Sequence, residues 1–248
     1  MKKKEVEELA QKVNLSIEAN NIQNAYAILE PILLEKTPFR YLDIIGESIG
    51  VNCPNRLEAY LSFWDEVSKN REMGGYVVVG QALIALLRTN PSLCFRKAVE
   101  YLIEGDEWYV CDIIGERVMG HALTNYYEST FDLFDELVNH DNPWVRRSVG
   151  VAVHYFAKRC REEEKKAIEL MNLLEPQLLE KDLKVIKGIG WGLKTIGRYY
   201  PKSLTDYVIE QIKIKKISGV IIRKCTTYLP EEYKTEIFNI YKRERIIM

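Results

Sequence analysis

Trp108 and Asp112 stand four residues apart in Trp108-Tyr109-Val110-Cys111-Asp112. In a helix that spacing puts an indole and a carboxylate on one face, one turn apart. The pair suits the stabilisation of developing positive charge, the anion by direct attraction and the ring through its electron-rich face. The plainer readings are a salt bridge or cap for Asp112 and core packing for Trp108. A later stretch, Lys187-Gly188-Ile189-Gly190-Trp191-Gly192-Leu193-Lys194, carries chemistry of the other sign. Lys187, Trp191, Lys194 and Arg198 form one stripe, and Val185, Ile189, Leu193 and Ile196 form the apolar face. A basic stripe around one ring suits a phosphate backbone with a sugar or base against the indole. A solvated helix face with a partly buried Trp is the alternative. In Asn142-Pro143-Trp144-Val145-Arg146-Arg147, Arg147 falls in the first turn after Pro143, where free backbone N–H groups favour an anion. Arg147, Val151, His154 and Lys158 share a face there, although Arg146-Arg147 also reads as an ordinary surface pair.

The elements that must position these residues are helices. Val6, Leu9, Ala10, Val13 and Ile17 recur at helical spacing over 2–20, and Ala25, Ile28, Leu29, Ile32 and Leu33 repeat the pattern over 22–36, with Pro31 expected to kink it or shift its start. Gly50-Val51-Asn52-Cys53-Pro54 reads as a helix stop and restart, with Pro54 early in the next helix. Further helices are expected over about 57–70, 75–88, 91–103 and 106–124, then from a Ser129-Thr130 cap through Phe131, Phe134 and Leu137. Asn142-Pro143 starts the next, reaching about Cys160; 162–179 follows, and Asp182 caps a helix to Tyr200. Pro201 starts another to Lys216, and two last segments surround Leu229-Pro230-Glu231. With no convincing strand and short turns, the chain reads as all-α. Helix pairs repeating at about 40 residues fit a HEAT or armadillo-like solenoid with a concave binding face. No linker divides it, so residues 1–248 are expected to form a single domain.

Composition bounds the function. The chain has 248 residues, 47% hydrophobic and 29% charged, which suits a globular core. No apolar run approaches the ~18 residues that span a bilayer, and the N-terminus leads into charged residues, so a cytoplasmic protein without a membrane partner is expected. Cys53, Cys94, Cys111, Cys160 and Cys225 are scattered and read as small buried hydrophobes; no metal site is expected around them or around His121, His140 and His154. The net charge of −1 hides an asymmetry, 13 basic against 22 acidic side chains in 1–140 and 22 against 14 in 141–248. A basic half can draw in a polyanion; the alternative is that the halves attract each other.

Trp-x-x-x-Asp at 108–112, Asn-x-Trp-x-x-Arg at 142–147 and Lys-x-Ile-Gly-Trp-x-Leu at 187–193 together resemble the signatures of the AlkD-type DNA alkylation repair glycosylases, in order and at similar spacing. Gly50-Val51-Asn52-Cys53-Pro54-x-Arg56 resembles that family's early segment, and the likeness covers about 40–220. The resemblance implies excision of cationic N3- and N7-alkylated purines from double-stranded DNA by a HEAT-like solenoid, without metal or cofactor. It makes Asp112 the catalytic carboxylate, Trp108 and Trp191 the ring walls at the lesion deoxyribose, and Arg147 a backbone contact, beside the basic residues Lys158, Lys187, Lys194 and Arg198. Tyr109 stands where the family often has an acidic residue. The protein is expected to act as a monomer. A second reading is a non-enzymatic HEAT-repeat scaffold that binds branched or damaged DNA, or a protein partner.

Overall fold

Helices form where apolar residues recur every three or four positions, and among the described residues the structure contains no strand. It is a computed structural model that describes residues 2–247, with side chains as far as Glu244. The chain divides into two compact units, Met1–Val118 and Met119–Met248.

The first unit contains α1 (Lys3–Glu18), α2 (Ile22–Leu34), α3 (Phe39–Asn52), α4 (Leu57–Lys69), α5 (Met73–Ile84), α6 (Pro91–Gly105) and α7 (Trp108–Ile114). Odd helices pack on odd, α1 on α3, α3 on α5 and α5 on α7, while α2 packs on α4 and α4 on α6. Two helical layers thus enclose a core that includes Tyr60, Phe63, Trp64 and Tyr101. A buried polar tie crosses it: Tyr60 Oη donates to Asn14 Oδ1 (3.1 Å), whose Nδ2 donates to Ser48 Oγ (3.0 Å).

The second unit contains α8 (His121–Asn125), α9 (Tyr127–Thr130), α10 (Phe134–Val138), α11 (Pro143–Arg159), α12 (Glu164–Leu173), α13 (Leu183–Tyr199), α14 (Pro201–Ile214), α15 (Gly219–Cys225) and α16 (Glu231–Ile247). Here α11 packs on α13 and α13 on α15, and α10, α12, α14 and α16 follow one another in the other layer. The starts of α11 and α13 are capped as their sequences demand: Asn142 Oδ1 accepts from Trp144 N (2.9 Å) and Asp182 Oδ1 from Lys184 N (2.7 Å).

Several local expectations need correction. Pro31 does not shift the start of α2, which begins at Ile22 and contains the proline on its exposed side. Pro54 belongs to a 3₁₀ turn, Cys53–Asn55, rather than to α4. Gly50 does not stop α3; a Cβ there would meet the Ala82 carbonyl oxygen at 2.5 Å, so the residue serves the α3–α5 contact. The single helix expected over 106–124 is α7, a π-helical stretch Gly115–Gly120 and α8 in succession. Ser129 and Thr130 do not cap a helix, because both hydroxyls turn back to the Tyr126 carbonyl oxygen (3.1 and 2.9 Å). Four cysteines are buried, and Cys160 is partly exposed.

The closest helix contact in the second unit is made by glycines. A Cβ on Gly150 of α11 would lie 2.2 Å from the Gly188 carbonyl carbon, one on Gly188 of α13 2.5 Å from the Arg147 carbonyl oxygen, and one on Gly192 2.8 Å from the Gly150 carbonyl oxygen. Backbone meets backbone, so no side-chain rotation relieves an added methyl. Gly150→Ala should therefore cost at least the ~1–3 kcal/mol of ordinary overpacking, lowering the urea midpoint. Gly74→Ala, whose Cβ would meet Leu42 Cδ1 at 3.2 Å, should change it little. Equal midpoints for the two variants would contradict this account of the α11–α13 contact.

Candidate active site

Trp108 and Asp112 share a face of α7, and the way α7 is held decides what that face meets. α6 ends at Asp106 in the left-handed region (φ 47°), and Glu107 is extended, which turns the chain into α7 with Trp108 as its first residue. Gly105 allows the close return: a Cβ there would lie 2.8 Å from Val110 Cγ2 and 3.0 Å from Tyr76 Oη. Val110, Cys111 and Ile114 are buried, which leaves Asp112 half-buried and Trp108 56% exposed.

A cleft of about 340 Å³ opens on this face, lined by Phe39, Met73, Trp108, Tyr109, Asp112, Ile113, Glu116 and Arg117. The Trp108 ring is propped edge-on by Tyr109 (centroids 6.0 Å, 89°), and Tyr109 by Tyr76 (6.2 Å, 61°). Tyr109 Oη donates to the Arg71 carbonyl oxygen (3.1 Å). Arg117 Nε donates to Asp43 Oδ1 (3.0 Å), and its guanidinium lies over Phe39 at 5.6 Å. The cleft combines apolar walls with the carboxylates of Asp112 and Glu116 and with the guanidinium of Arg117, whose charge is paired with Asp43; walls and carboxylates together suit a cation with a flat apolar face.

Glu116 was not singled out by the sequence reading, although it continues the spacing 108, 112, 116. It lies in the π-helical stretch just after α7, where the extra residue per turn shifts the residues that follow around the axis. Phe39 and Met73 come from helices far away in sequence and carry no local signal.

The basic residues lie in the second unit, on α11 and α13. On α13, Val185, Ile189, Leu193 and Ile196 are buried as expected; Lys187 and Arg198 are exposed, and Trp191 and Lys194 half-buried. The expectation for α11 needs correction. Its face of Arg147, Val151, His154 and Lys158 is largely the packed face, and only Lys158 is exposed. Arg147 is 7% exposed; its Nη1 donates to the Lys184 carbonyl oxygen (3.3 Å), and its guanidinium stands 5.8 Å from the Trp144 ring centre. The cause is the glycine contact, which brings α13 against this side of α11 and traps the guanidinium at its first turn.

Trp191 is stacked on one side by His154 (4.2 Å, 26°). Thr195 Oγ1 donates to the Trp191 carbonyl oxygen (2.8 Å) and lies 2.8 Å from His154 Nδ1. Burial, followed by Lys158, Lys194 and Arg159, lowers the His154 pKa to about 4. Among the described residues none of Lys158, Arg159, Arg161, Lys187, Lys194 and Arg198 is ion-paired, whereas Arg146 is paired with Glu180 and Lys202 with Asp206. Polyanion binding needs cations left uncommitted in this way.

Among the described residues no three His, Cys, Asp or Glu side chains gather to hold a metal ion, and no helix is long and apolar enough to cross a membrane.

The His154 shift has a definite sign. A histidine held neutral when folded binds no proton there between its ordinary pKa of 6.5 and about 4, whereas the unfolded chain does, so stability falls as pH drops through that window. Urea midpoints measured from pH 7 to pH 4 should decline, and His154→Gln should flatten the decline. An equal slope in the variant would remove His154 as its cause.

No curated protein and no solved structure matches the chain. The model of one family, described as DNA alkylation repair enzyme, matches residues 47–229, which contain Trp108, Asp112, Arg147 and Trp191. That match spans well over half of the sequence, and the chain belongs to the DNA alkylation repair enzyme family.

Proposed function

We propose that the protein is a DNA glycosylase that releases cationic N3- and N7-alkylated purines, such as 3-methyladenine and 7-methylguanine, from duplex DNA in base excision repair. The observation that carries this reading is Asp112 and the exposed Trp108 ring sharing one apolar-walled cleft. An alkylated purine with a fixed positive charge is already a good leaving group. When the bond from its nitrogen to the anomeric carbon breaks, the electron pair leaves with the base and positive charge develops on the deoxyribose. Asp112 is placed to stabilise that charge and to orient the water that adds to the anomeric carbon, taking up its proton. Trp108 offers its ring face to the same charge, and Glu116 adds a second negative group to the cleft. The reaction as written runs on these side chains and water.

Trp191, with one face already covered by His154, is proposed as the second ring at the lesion sugar. Lys158, Lys187, Lys194 and Arg198 supply the hold on the phosphate backbone, and Arg147, nearly buried, fixes the start of α13 beneath them. We read the successive helix pairs as HEAT-like repeats of one domain, acting as a monomer on alkylated duplex DNA. The second reading, a DNA-binding scaffold without chemistry, is favoured by the same uncommitted cations and has no use for Asp112.

Duplex DNA carrying one 7-methylguanine, incubated in EDTA with wild type or Asp112→Asn, separates the two. Wild type should release the base above the spontaneous rate, and Asp112→Asn should lose at least about a hundredfold in release while binding DNA equally or more tightly, since a repulsive charge has gone. Bound DNA with no release by wild type would move the function to the scaffold reading.

A further inference from the structure

On the second unit, three cations and two rings alternate along one surface. The Arg161 guanidinium stands 4.8 Å from the centre of Tyr199, Arg198 6.0 Å from Tyr199 and 5.7 Å from Tyr228, and Lys194 Nζ 5.2 Å from Tyr228. Neither Arg161, nor the two tyrosines, emerged from the sequence reading. A tyrosine face orients a cation without neutralising it, whereas a carboxylate does both. Among the described residues none of the three cations has a carboxylate partner. Arg161 is further fixed through Nε, which donates to the Lys158 carbonyl oxygen (3.1 Å). Tyr228, in the 3₁₀ turn Thr226–Tyr228, is 46% exposed, so part of its ring remains open beside the two cations it holds.

The spacing suits a nucleic-acid strand. Lys194 and Arg198 are about 6 Å apart along the axis of α13, and one strand of B-DNA carries a phosphate every ~3.4 Å of axial rise. Two cations this close can both meet phosphates of one strand, and Arg161 continues the row from the turn that follows α11.

We propose that Arg161, Tyr199, Arg198, Tyr228 and Lys194 form a track for the phosphates of one DNA strand that works without regard to the lesion, with the open part of Tyr228 against a sugar. This rests on DNA being the substrate, as proposed above, but not on any excision. The tyrosines hold three charges ready for phosphate, and Arg161 with Tyr199 lengthens the grip beyond the C-terminal end of α13.

The test is binding of the full chain to unmodified duplex DNA as a function of salt. Arg161→Gln should lower the magnitude of the slope of log K against log salt by about 1 and weaken binding several-fold at low salt. Tyr228→Ala, which removes no charge, should weaken binding about threefold to tenfold, and Tyr228→Phe should restore it, because the ring face and not the hydroxyl is used. Thermal melting of each variant shows whether the fold is kept; Arg161 is exposed, so its variant carries the test if Tyr228→Ala melts early. Wild type that binds while Arg161→Gln keeps both slope and affinity overturns the track alone. Loss in Tyr228→Phe equal to that in Tyr228→Ala overturns the role of the ring face. Wild type that fails to bind unmodified duplex overturns the track and the DNA reading together.

Discussion

The contact between α11 and α13 at Gly150, Gly188 and Gly192 sets the geometry of the whole basic region. Two helices whose backbones touch leave no freedom in their spacing, since any Cβ at these positions would fall within 2.8 Å of the facing carbonyl groups. Such a contact is costly in conformational entropy, because glycine in a helix interior lowers helix stability by about 1 kcal/mol per residue. What it fixes is the placement of the side chains around it. With the helices this close, His154 lies against Trp191 and Thr195, the Arg147 guanidinium reaches the Lys184 carbonyl oxygen in the first turn of α13, and the Lys187–Arg198 stripe turns away from the core. The three glycines of the Lys187–Leu193 segment divide this work, for Gly190 faces Lys224 of α15 while the other two face α11.

In the first unit an equivalent constraint holds a ring out in the open. Trp108 leaves over half its surface exposed, against the ordinary tendency of so large an apolar side chain to be covered. The chain secures it from beneath with the left-handed turn at Asp106, the close passage of Gly105 over Val110, and the row of rings Trp108, Tyr109 and Tyr76. An exposed ring propped by two others keeps one orientation with little further loss of freedom on binding. Asp112 stands one turn on, at the junction with the π-helical stretch, and its neighbours in the cleft are mainly apolar.

What the sequence disclosed and what it hid divide along physical lines. Helical periodicity and capping chemistry are local, so α11 was placed from Asn142-Pro143 and α13 from Asp182. The Trp108–Asp112 face and the α13 stripe are also local and could be read from spacing. Burial of Arg147 could not, because it depends on how closely a distant helix approaches, and that was encoded in glycines that look like flexibility in isolation. The same holds for Phe39 and Met73 in the cleft and for Tyr228 beside Lys194, each brought by an element remote in sequence. Glu116 lay within reach of the spacing argument. The change of helical type at Gly115 was not, since nothing in Gly115-Glu116-Arg117 announces a wider turn.

In the proposed function the Trp108 cleft receives the lesion while the cations of the second unit hold DNA of any sequence and state. The four tryptophans allow a direct test. With 5-fluorotryptophan incorporated, ¹⁹F NMR gives one signal for each indole, and Trp64 and Trp144, being buried, serve as internal references. The protein is titrated with a duplex bearing one alkylated purine analogue whose glycosidic bond resists cleavage, and separately with the unmodified duplex. The Trp108 signal should shift with the modified duplex and stay in place with the unmodified one. A Trp108 signal that stays put while the modified duplex is demonstrably bound, or that moves equally with both, would contradict the assignment of the cleft to the lesion.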